Sequence, residues 1–381
     1  MKERAGFVRD LATGRWSMTE LCEHYGISRP TGYKWAYRFE ALGEEGLMER
    51  SRVPLTCPHR TSEKIEELVV RLKKAHGWGA RKLHRLLKGR LDESEMPCRS
   101  TVFDILKRHG FVKPRRRRTR WKHPGAVALR TDAPNQVWTM DFKGQFRTRD
   151  GIYCYPLTVL DHYSRYLLCC RGLPNVRTVG ARETLEKLFR DVGLPDAIRS
   201  DNGVPFASNG IHGLSQLNVW WMKLGIVHQR ITPSSPQENG AHERMHRTLK
   251  AETTRPPAAS MRGQQGKFDI FQDDYNHHRP HEALDDEAPA SLWTPSTRAY
   301  PKRLVGPEYP GHFEVRRVSN AGEFKLHHKH IFLSQALGGE SIGLEQIDDG
   351  IWNIVFYRTL LGRLDDRTGS ITGATFRSKK C

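Results

Sequence analysis

The order of apolar runs between residues 131 and 278 most constrains what this chain of 381 residues can fold into. Three β-rich runs come first, and helical and strand-like segments then alternate, which is the pattern of a mixed α/β sheet. The expected strands are 136–142, 153–160, 166–172, 197–200 and 227–231, and the expected helices are 179–192, 214–224, 239–253 and 268–278. We therefore expect one mixed sheet in the middle of the chain.

Three carboxylates lie in or next to the expected strands and helices at positions that could bring them together. Asp141 falls within the first strand, Asp201 follows the fourth strand before a Gly turn, and Glu243 lies about one turn into a basic helix. Taken alone, each Asp would be interpreted as a turn cap and Glu243 as a surface residue paired at i,i+4. Adjacent strands would bring the two aspartates together, and Glu243 shares a helical stripe with Arg247 and Lys250.

Such a set of acids suits metal-assisted phosphodiester chemistry. Cleavage and transfer place negative charge on the attacking and leaving oxygens, which two Mg²⁺ ions roughly 3.5–4 Å apart can stabilise. Mg²⁺ prefers hard oxygen ligands and keeps several waters, so about three carboxylates would suffice beside the substrate phosphate. Water would attack first, and the liberated 3′-hydroxyl could then attack a target strand.

The charge of the chain is concentrated at its amino-terminal end. The net charge is +19 and the isoelectric point about 9.8. Residues 1–130 hold thirty Lys and Arg against fifteen Asp and Glu, so fifteen of the nineteen net charges lie in this third. A basic, solvated surface is the plain interpretation. A polyanion partner is favoured, because Lys and Arg gain free energy by releasing phosphate counterions.

Residues 17–47 have the layout of a helix-turn-helix, whose second helix enters the major groove of DNA. Gly26 supplies the permissive turn, Ser28 a helix cap and Pro30 the first helical turn. Trp35 and Phe39 are expected to face inward. An ordinary helical hairpin is the alternative. The exposed positions that could contact DNA are Arg29, Thr31, Tyr33, Lys34 and Arg38.

A second helical unit is expected over 61–112, followed by a basic linker over 113–130. Its helices are predicted at 63–76, 80–88 and 101–109, and two tandem units would lengthen the DNA site that is read. The linker carries seven Lys and Arg in the ten residues 113–122, and such a run cannot pack. It is expected to lie along phosphates through Arg115, Arg116, Arg117 and Arg118, with a solvated tether as the alternative.

The carboxyl-terminal region is expected to form a separate β domain. Short β runs at 313–318, 323–326, 331–333, 342–346, 352–356 and 360–364 predict a small antiparallel barrel.

No apolar run could cross a membrane, and the first ten residues lack the apolar stretch of a signal peptide. Seven cysteines without a CxxC pattern predict neither a disulfide framework nor a zinc site, and favour a reducing, intracellular setting.

Five motifs together identify a family resemblance. They are WTMDF (138–142), LDHYSRY (160–166), SDNG (200–203), PSSPQENGAHERMHRTLK (233–250) and YNHHRPHEAL (275–284). From about residue 17 to 300 the chain resembles the DDE transposases of bacterial insertion sequences, which share the catalytic core of retroviral integrases. The resemblance implies an RNase H-like core, two Mg²⁺ ions for which Mn²⁺ can substitute, inverted terminal repeats as substrate, and a homo-oligomer that synapses two DNA ends.

By motif position, the resemblance assigns metal binding and catalysis to Asp141, Asp201 and Glu243. It assigns DNA contacts to Arg247 and Lys250 and a supporting place to Asn202. The fold class implied is a multidomain α/β protein, acting in the bacterial cytoplasm at the nucleoid without any membrane partner. The expected domains are a helix-turn-helix domain (1–55), a second helical DNA-binding domain (56–112), the linker (113–130), the integrase-type core (131–300) and the small β-barrel (301–381).

Several positions depart from the family pattern or compete with the triad. Forty-one residues separate Asp201 from Glu243, more than in many relatives, and the surplus is expected near 206–218. Glu238 is a rival third carboxylate that would precede the helix. Asp161 could be a fourth acid, although a turn role is favoured. His242 and His246 are expected to face DNA or solvent rather than a metal, and no zinc domain is predicted.

Two other functions compete with an active transposase. One is a DNA-binding regulator that uses only the helix-turn-helix units, although such a protein has no need of three clustered acids. The other is a ribonuclease H or structure-specific nuclease on the same fold, which would use four acids and lack the two amino-terminal units. Metal-dependent strand joining, beyond cutting or binding, separates these possibilities.

Overall fold

The computed structural model describes residues 2–49, 60–112, 131–201, 203–206, 214–231 and 240–373. The chain divides into two compact units, 1–67 and 68–381. Within the described residues, no helix is both long enough and apolar enough to cross a membrane.

The first unit is a compact trio of helices. Phe7, Leu21 and Trp35 form its core together with Val8, Cys22 and Leu47. Ser17 and Glu20 cap the second helix reciprocally, as a capping box does. Gly26, at φ 62°, makes the turn into the third. The helices are α1 (Lys2–Ala12), α2 (Met18–His24) and α3 (Arg29–Leu42).

Helix α3 begins after Ser28, as expected, with Pro30 in its first turn. The Ser28 hydroxyl bonds the hydroxyl of Thr31 at 2.9 Å rather than a backbone N–H. Trp35 is buried, but the prediction that Phe39 faces inward is wrong, since it is 37% exposed. Residues of α1, α2 and α3 together fill the core of this small unit, and Phe39 is not among them.

Three further helices follow, as the sequence predicted for the second helical unit. Part of this trio packs on the central domain through ion pairs. Arg81 contacts Glu282 at 2.6 Å and Asp286 at 2.8 Å. Arg279 is buried beneath the ring of Trp78, 5.5 Å from its centroid. The helices are α4 (Glu63–His76), α5 (Ala80–Lys88) and α6 (Arg99–Arg108).

The central domain is built on the expected mixed sheet. Its strands pair in the order β2-β3-β1-β5-β6, and β4 also pairs with β3. β1 is antiparallel to β3 and parallel to β5, which is parallel to β6. The strands are β1 (Val137–Phe142), β2 (Phe146–Arg147), β3 (Tyr153–Asp161), β4 (Leu167–Leu173), β5 (Ala197–Ser200) and β6 (Val227–Arg230).

Helices cover both faces of this sheet, because successive side chains of its strands point to opposite faces and apolar ones are buried on each. Trp138 and Met140 of β1 join one core with Leu185, Phe189 and Trp221, from the helices of the first face. Leu160 and Leu167 join a second core with residues of the helices on the other face. The helices are α7 (Thr178–Val192), α8 (Gln216–Lys223), α9 (Gly240–Thr253) and α10 (Met261–Asp273).

The expected small carboxyl-terminal β-barrel is corrected to two open sheets around a shared core. The described strands form a five-stranded antiparallel sheet in the order β13-β12-β11-β10-β7 and a separate β8-β9 hairpin, with no closed sheet among them. Val219 and Met222 of α8 enter this core, and Lys223 pairs with Glu340 at 2.7 Å. The strands are β7 (Glu314–Arg317), β8 (Glu323–Leu326), β9 (Lys329–Phe332), β10 (Ser341–Asp348), β11 (Ile351–Phe356), β12 (Thr359–Asp365) and β13 (Ser370–Gly373).

Candidate active site

The two predicted aspartates lie side by side at the ends of neighbouring strands. β1 and β5 pair in parallel with Met140 opposite Ser200, so Asp141 follows this pair within β1 and Asp201 follows it directly after the end of β5. Because carboxyl ends of parallel strands meet at one edge of a sheet, this edge is where ligands bind in open α/β folds. The sheet topology therefore places two of the three predicted acids together.

Helix α9 brings the third acid over the same strand. Met245 and Leu249 anchor the helix in the core on that face, and α9 contacts β1 directly. Glu243 stands in its first turn and is exposed. An acid at this end of a helix is stabilised by the helix dipole, so Glu243 needs no cationic partner to be placed there.

The electrostatics of Asp141 record the presence of both other acids. Burial and the charges of Asp201 and Glu243 raise the pKa of Asp141 to about 7, against the opposing charge of Lys143. A carboxyl whose neighbours are acidic gains from a bound cation. Within the described ranges, no three His, Cys, Asp or Glu side chains lie close enough together to enclose one ion. The three acids therefore affect one another through the electrostatic effect of their charges. All the atoms that they could offer to a metal are carboxylate oxygens, the hard ligands that Mg²⁺ prefers.

A polar network supports the strand end at Asp201. The Asn218 side-chain amide donates to His228 Nδ1 at 3.0 Å, and His228 Nε2 lies 2.9 Å from Ser200 Oγ. Ser200 Oγ donates to the backbone carbonyl of Asp201 at 3.1 Å. Burial lowers the pKa of His228 to about 3, so its imidazole is neutral. The Asp201 carboxylate itself is exposed and accepts from the Gly203 N–H at 3.2 Å.

The prediction that His242 and His246 face DNA or solvent is wrong. They are 0% and 3% exposed, between α9 and strands β1 and β3. Both rings contact the Thr158 hydroxyl at 2.7 Å, and burial lowers their pKa to about 3 and about 2. Both residues share the helical stripe of Met245 and Leu249, a hint of burial that the period alone does not make decisive for histidine.

Asp161 has the turn role that the sequence favoured. It is fully buried at the end of β3. Its Oδ1 accepts from the N–H and hydroxyl of Ser164 at 2.8 and 2.6 Å, and its Oδ2 accepts from the N–H of Asn135 at 2.8 Å. These donors satisfy the carboxylate within the fold, so Asp161 is not available as a fourth site acid.

Basic side chains border the acids on the α9 side. Arg247 and Lys250 are exposed on α9. Lys250 and Lys143 line the same small pocket of about 80 Å³. Lys143 was not singled out from the sequence, although its place two residues after Asp141 could have suggested it. Asn202, Glu238 and the linker residues Arg115, Arg116, Arg117 and Arg118 lie outside the described residues.

The predicted DNA-contacting residues of α3 share a surface with aromatic rings. Arg29 and Lys34 are exposed, while Thr31 and Arg38 are half-buried. Lys34 and Arg38 lie over the ring of Trp35, 5.1 and 5.3 Å from its centroid. Their alkyl stems are thus supported by the core while the cationic heads remain available.

Family models match most of the described architecture. Two models described as "Integrase core domain" match residues 131–236 and 224–289. A "Helix-turn-helix domain" model matches residues 3–54, and a "Homeodomain-like domain" model matches residues 31–106. Together these matches cover the two helical trios and the sheet that carries the acids.

Curated relatives come from an insertion element and from retroviruses. A 31.7 kDa protein of insertion element IS407 from Burkholderia multivorans is 24% identical over 56% of this chain and 75% of its own length. The Gag-Pol polyprotein of baboon endogenous virus is 27% identical over 50% of this chain. The chain spans only 11% of that polyprotein.

Solved structures with weaker likeness are also viral. A chain of the simian T-cell lymphotropic virus intasome, in complex with a PP2A regulatory subunit, aligns with 77% of this chain and 97% of its own. Its TM-score is 0.39 at 17% identity. The HTLV-2 integrase catalytic core domain in complex with magnesium aligns over 43% of this chain and 99% of its own, with a TM-score of 0.32 at 14% identity.

Proposed function

We propose, from the premise that this chain carries an integrase core domain behind helix-turn-helix domains, that it is a DDE transposase. It would bind the terminal inverted repeats of a mobile element, cleave the DNA ends and join them to target DNA. The reaction would be metal-dependent hydrolysis followed by transesterification. The insertion-element relative supports this choice over a viral role, because this chain covers three quarters of that protein.

One observation carries the proposal above the others. Asp141 and Asp201 lie at neighbouring positions where two parallel strands end, and the charges of Asp201 and Glu243 both raise the pKa of Asp141. A protein that only binds DNA gains nothing from acids that repel one another at a sheet edge. A nuclease or transferase gains a cation-binding site from the same arrangement.

Asp141, Asp201 and Glu243 would hold the two Mg²⁺ ions, with Mn²⁺ as a substitute and no zinc. Ions bound there would stabilise negative charge on the attacking and leaving oxygens. The residues themselves would do three things. Asp141 would stay ionised once a cation offsets its neighbours, Glu243 would be presented by the first turn of α9, and Asp201 would remain free to reorient at its exposed strand end.

Basic residues would bring DNA to the acids in two stages. End recognition is assigned to Arg29, Thr31, Lys34 and Arg38 on α3, as a recognition helix would use them. Asn202, Arg247 and Lys250 would contact the DNA strand near the scissile bond. The linker would lie along DNA phosphates through Arg115, Arg116, Arg117 and Arg118. These roles follow from motif position and from the exposure of the described members.

The domain division proposed from the sequence is kept, with an open β domain at the carboxyl terminus. Its parts are 1–55, 56–112, 113–130, 131–300 and 301–381. Partners would be double-stranded DNA, both element ends and target, and further copies of this chain in a synaptic complex. A bacterial protein of this kind would act in the cytoplasm at the nucleoid.

A strand-transfer assay tests the proposal. Purified protein, a duplex with the inverted repeat that flanks the coding region, and a target plasmid are incubated with Mg²⁺, Mn²⁺ or EDTA. Joined product that needs the metal and is lost in Glu243→Gln is the expected result. End-specific binding without nicking in either metal would contradict the proposal and favour a DNA-binding regulator.

A further inference from the structure

Two buried imidazoles connect helix α9 to the strands beneath it. His242 and His246 are one helical turn apart and nearly or fully inaccessible to solvent. Thr139 Oγ1 lies 2.9 Å from His242 Nδ1, and Thr158 Oγ1 lies 2.7 Å from Nε2 of both rings. His246 Nδ1 lies 3.5 Å from Asp141 Oδ2. The hydroxyls and rings therefore form one line of polar atoms that ends at a predicted metal ligand.

The direction of this line follows from counting protons. A neutral imidazole has one N–H donor and one bare acceptor nitrogen, and each hydroxyl donates once. If Thr139 donates to His242 Nδ1, then His242 Nε2–H donates to Thr158 Oγ1. Thr158 then donates to His246 Nε2, which leaves the N–H of His246 on Nδ1, facing Asp141. Every interior group both donates and accepts.

The other assignments leave Asp141 without a donor. Thr158 Oγ1 also lies 3.0 Å from the Asp141 backbone carbonyl, and Thr139 Oγ1 lies 3.3 Å from the Leu160 carbonyl. If either hydroxyl spent its proton there, His246 Nδ1 would carry a lone pair. That lone pair would face the Asp141 carboxylate and leave it without a donor on this side. The arrangement in which all four contacts run towards Asp141 is the one that gives its carboxylate a donor.

We propose that the chain Thr139–His242–Thr158–His246 positions the Asp141 carboxylate and fixes the register of α9, which carries Glu243. His246 is a positioning residue that acts through Asp141. Outer hydrogen-bond partners of metal-binding carboxylates orient these ligands and tune the site. The proposal rests on the proposed metal-dependent function for its consequence, although the hydrogen-bond chain itself can be tested without any catalysis.

The first test reads the tautomers directly. Full-length protein with ¹⁵N-labelled histidine is studied by long-range proton–nitrogen NMR in alkaline Mg²⁺ buffer, with His242→Gln and His246→Gln used for assignment. The expected result is N–H on Nε2 of His242 and on Nδ1 of His246. Free neutral histidine favours Nε2–H, so the His246 result is diagnostic. An Nε2–H tautomer or a charged ring at His246 would overturn the proposal.

The second test uses two amide substitutions that divide the functions of the ring. An Asn side chain places its amide nitrogen near the position of Nδ1, and a Gln side chain places it near Nε2. His246→Asn should keep the donor to Asp141, whereas His246→Gln should lose it. We expect the Mg²⁺ concentration for half-maximal joining to rise about 10- to 100-fold in His246→Gln and distinctly less in His246→Asn.

A matched control separates positioning from folding. Thr253 is a buried threonine at the end of α9, and its hydroxyl donates to the Leu249 carbonyl of the same helix at 2.8 Å. Thr158→Val should raise the Mg²⁺ requirement, whereas Thr253→Val should leave it unchanged. Equal Mg²⁺ requirements in wild type, Thr158→Val and His246→Gln would overturn the proposal. A wild type that never joins DNA would instead reject the proposed function and leave the tautomer test to decide.

Discussion

The two aspartates at the sheet edge are supported in different ways. Beneath Asp141, the buried line of hydroxyls and imidazoles reaches the carboxylate itself, through His246. Beside Asp201, the line from Asn218 through His228 and Ser200 ends on the backbone carbonyl. The fold therefore constrains the side chain of Asp141, which is half-buried, but only the strand end at Asp201, whose carboxylate is exposed.

This difference suggests a division of labour between the two proposed ligands. A half-buried carboxylate held by a buried network supplies a fixed reference for a metal ion, because the fold rather than the substrate sets its orientation. An exposed carboxylate on a fixed strand end can adjust when the ion and DNA arrive. Substitutions that act on the two sides separately should show whether the networks follow this division.

The largest expected effect comes from removing each carboxylate charge. Asp141→Asn and Asp201→Asn should each reduce strand transfer by about 10³-fold or more, the scale for groups that act on transition-state charge. Their stabilities in EDTA should differ. The pKa of Asp141 is raised from 3.8 to about 7, so its ionised form lowers stability as pH rises through that range.

At pH values above that range, Asp141→Asn should therefore stabilise the metal-free protein, by up to a few kcal/mol at about 1.4 kcal/mol per pKa unit. Asp201→Asn removes only its own repulsion of Asp141 and should stabilise the metal-free protein less than Asp141→Asn does. Denaturant unfolding in EDTA and in Mg²⁺ measures both effects. Mg²⁺ should stabilise wild type by mass action but not Asp141→Asn. A loss of stability in EDTA for Asp141→Asn would contradict the repulsion argument.

The second effect compares one hydroxyl from each network. Thr158→Val should raise the Mg²⁺ concentration needed for half-maximal joining about 10-fold or more, because the line to Asp141 is broken. Ser200→Ala leaves the buried His228 N–H without its partner and should cost about 1–3 kcal/mol of stability. It should barely change the Mg²⁺ requirement. If both substitutions shift the Mg²⁺ requirement equally, the two sides are not distinct.

The sequence located the proposed ligands better than it located the residues that support them. Asp141 and Asp201 were predictable because strand-like runs end at them, and the bounds predicted for the strand before Asp201 match β5. The burial of His242 and His246 was not predictable from helical period alone. Histidine counts as polar in such a pattern, and only the facing hydroxyls of Thr139 and Thr158 make its burial acceptable. Those partners become visible only once α9 is placed on β1 and β3.

The same limit explains the carboxyl-terminal correction. All six predicted β runs there became strands, and β8 has the predicted bounds. Alternation along a strand reports which face is buried, but it carries no information on which strands pair at the edges. Closure into a barrel depends on that pairing. An open sheet covered by a hairpin satisfies the same pattern of buried Leu344, Ile354 and Leu364.

The third effect is the acid sensitivity of the buried imidazoles. Burial lowers the pKa of His228 from 6.5 to about 3, and the pKa values of His242 and His246 move the same way. Between these values the unfolded chain binds protons that the folded chain does not. The stability that these neutral rings contribute is therefore full above about pH 6.5 and falls as the pH drops, by up to about 1.4 kcal/mol per pH unit for each ring.

His228→Gln isolates the contribution of the Asp201 side. It should lower the pH dependence of the unfolding free energy by about one proton, or about 1.4 kcal/mol per pH unit, in the range below pH 6.5. Urea unfolding at several pH values, beside wild type, measures the slope. An unchanged slope would show that His228 is protonated in the folded protein and that its contact with Ser200 is not the one described.

The smallest expected effect concerns Lys143, the lysine beside Asp141, which is the more constrained of the two proposed ligands. Lys143 lowers the pKa of Asp141 through its charge, and it shares a pocket with Lys250. If the Asp141 side also holds the DNA strand, Lys143→Gln should reduce the salt dependence of DNA binding by about one phosphate contact. Lys187→Gln is the control, because Lys187 is an exposed lysine paired within its own helix to Asp191. An equally small change in salt dependence in both variants would mean that Lys143 interacts with the Asp141 carboxylate and not with DNA. The Asp141 side of the site would then orient the metal, and α9 would contact the DNA strand.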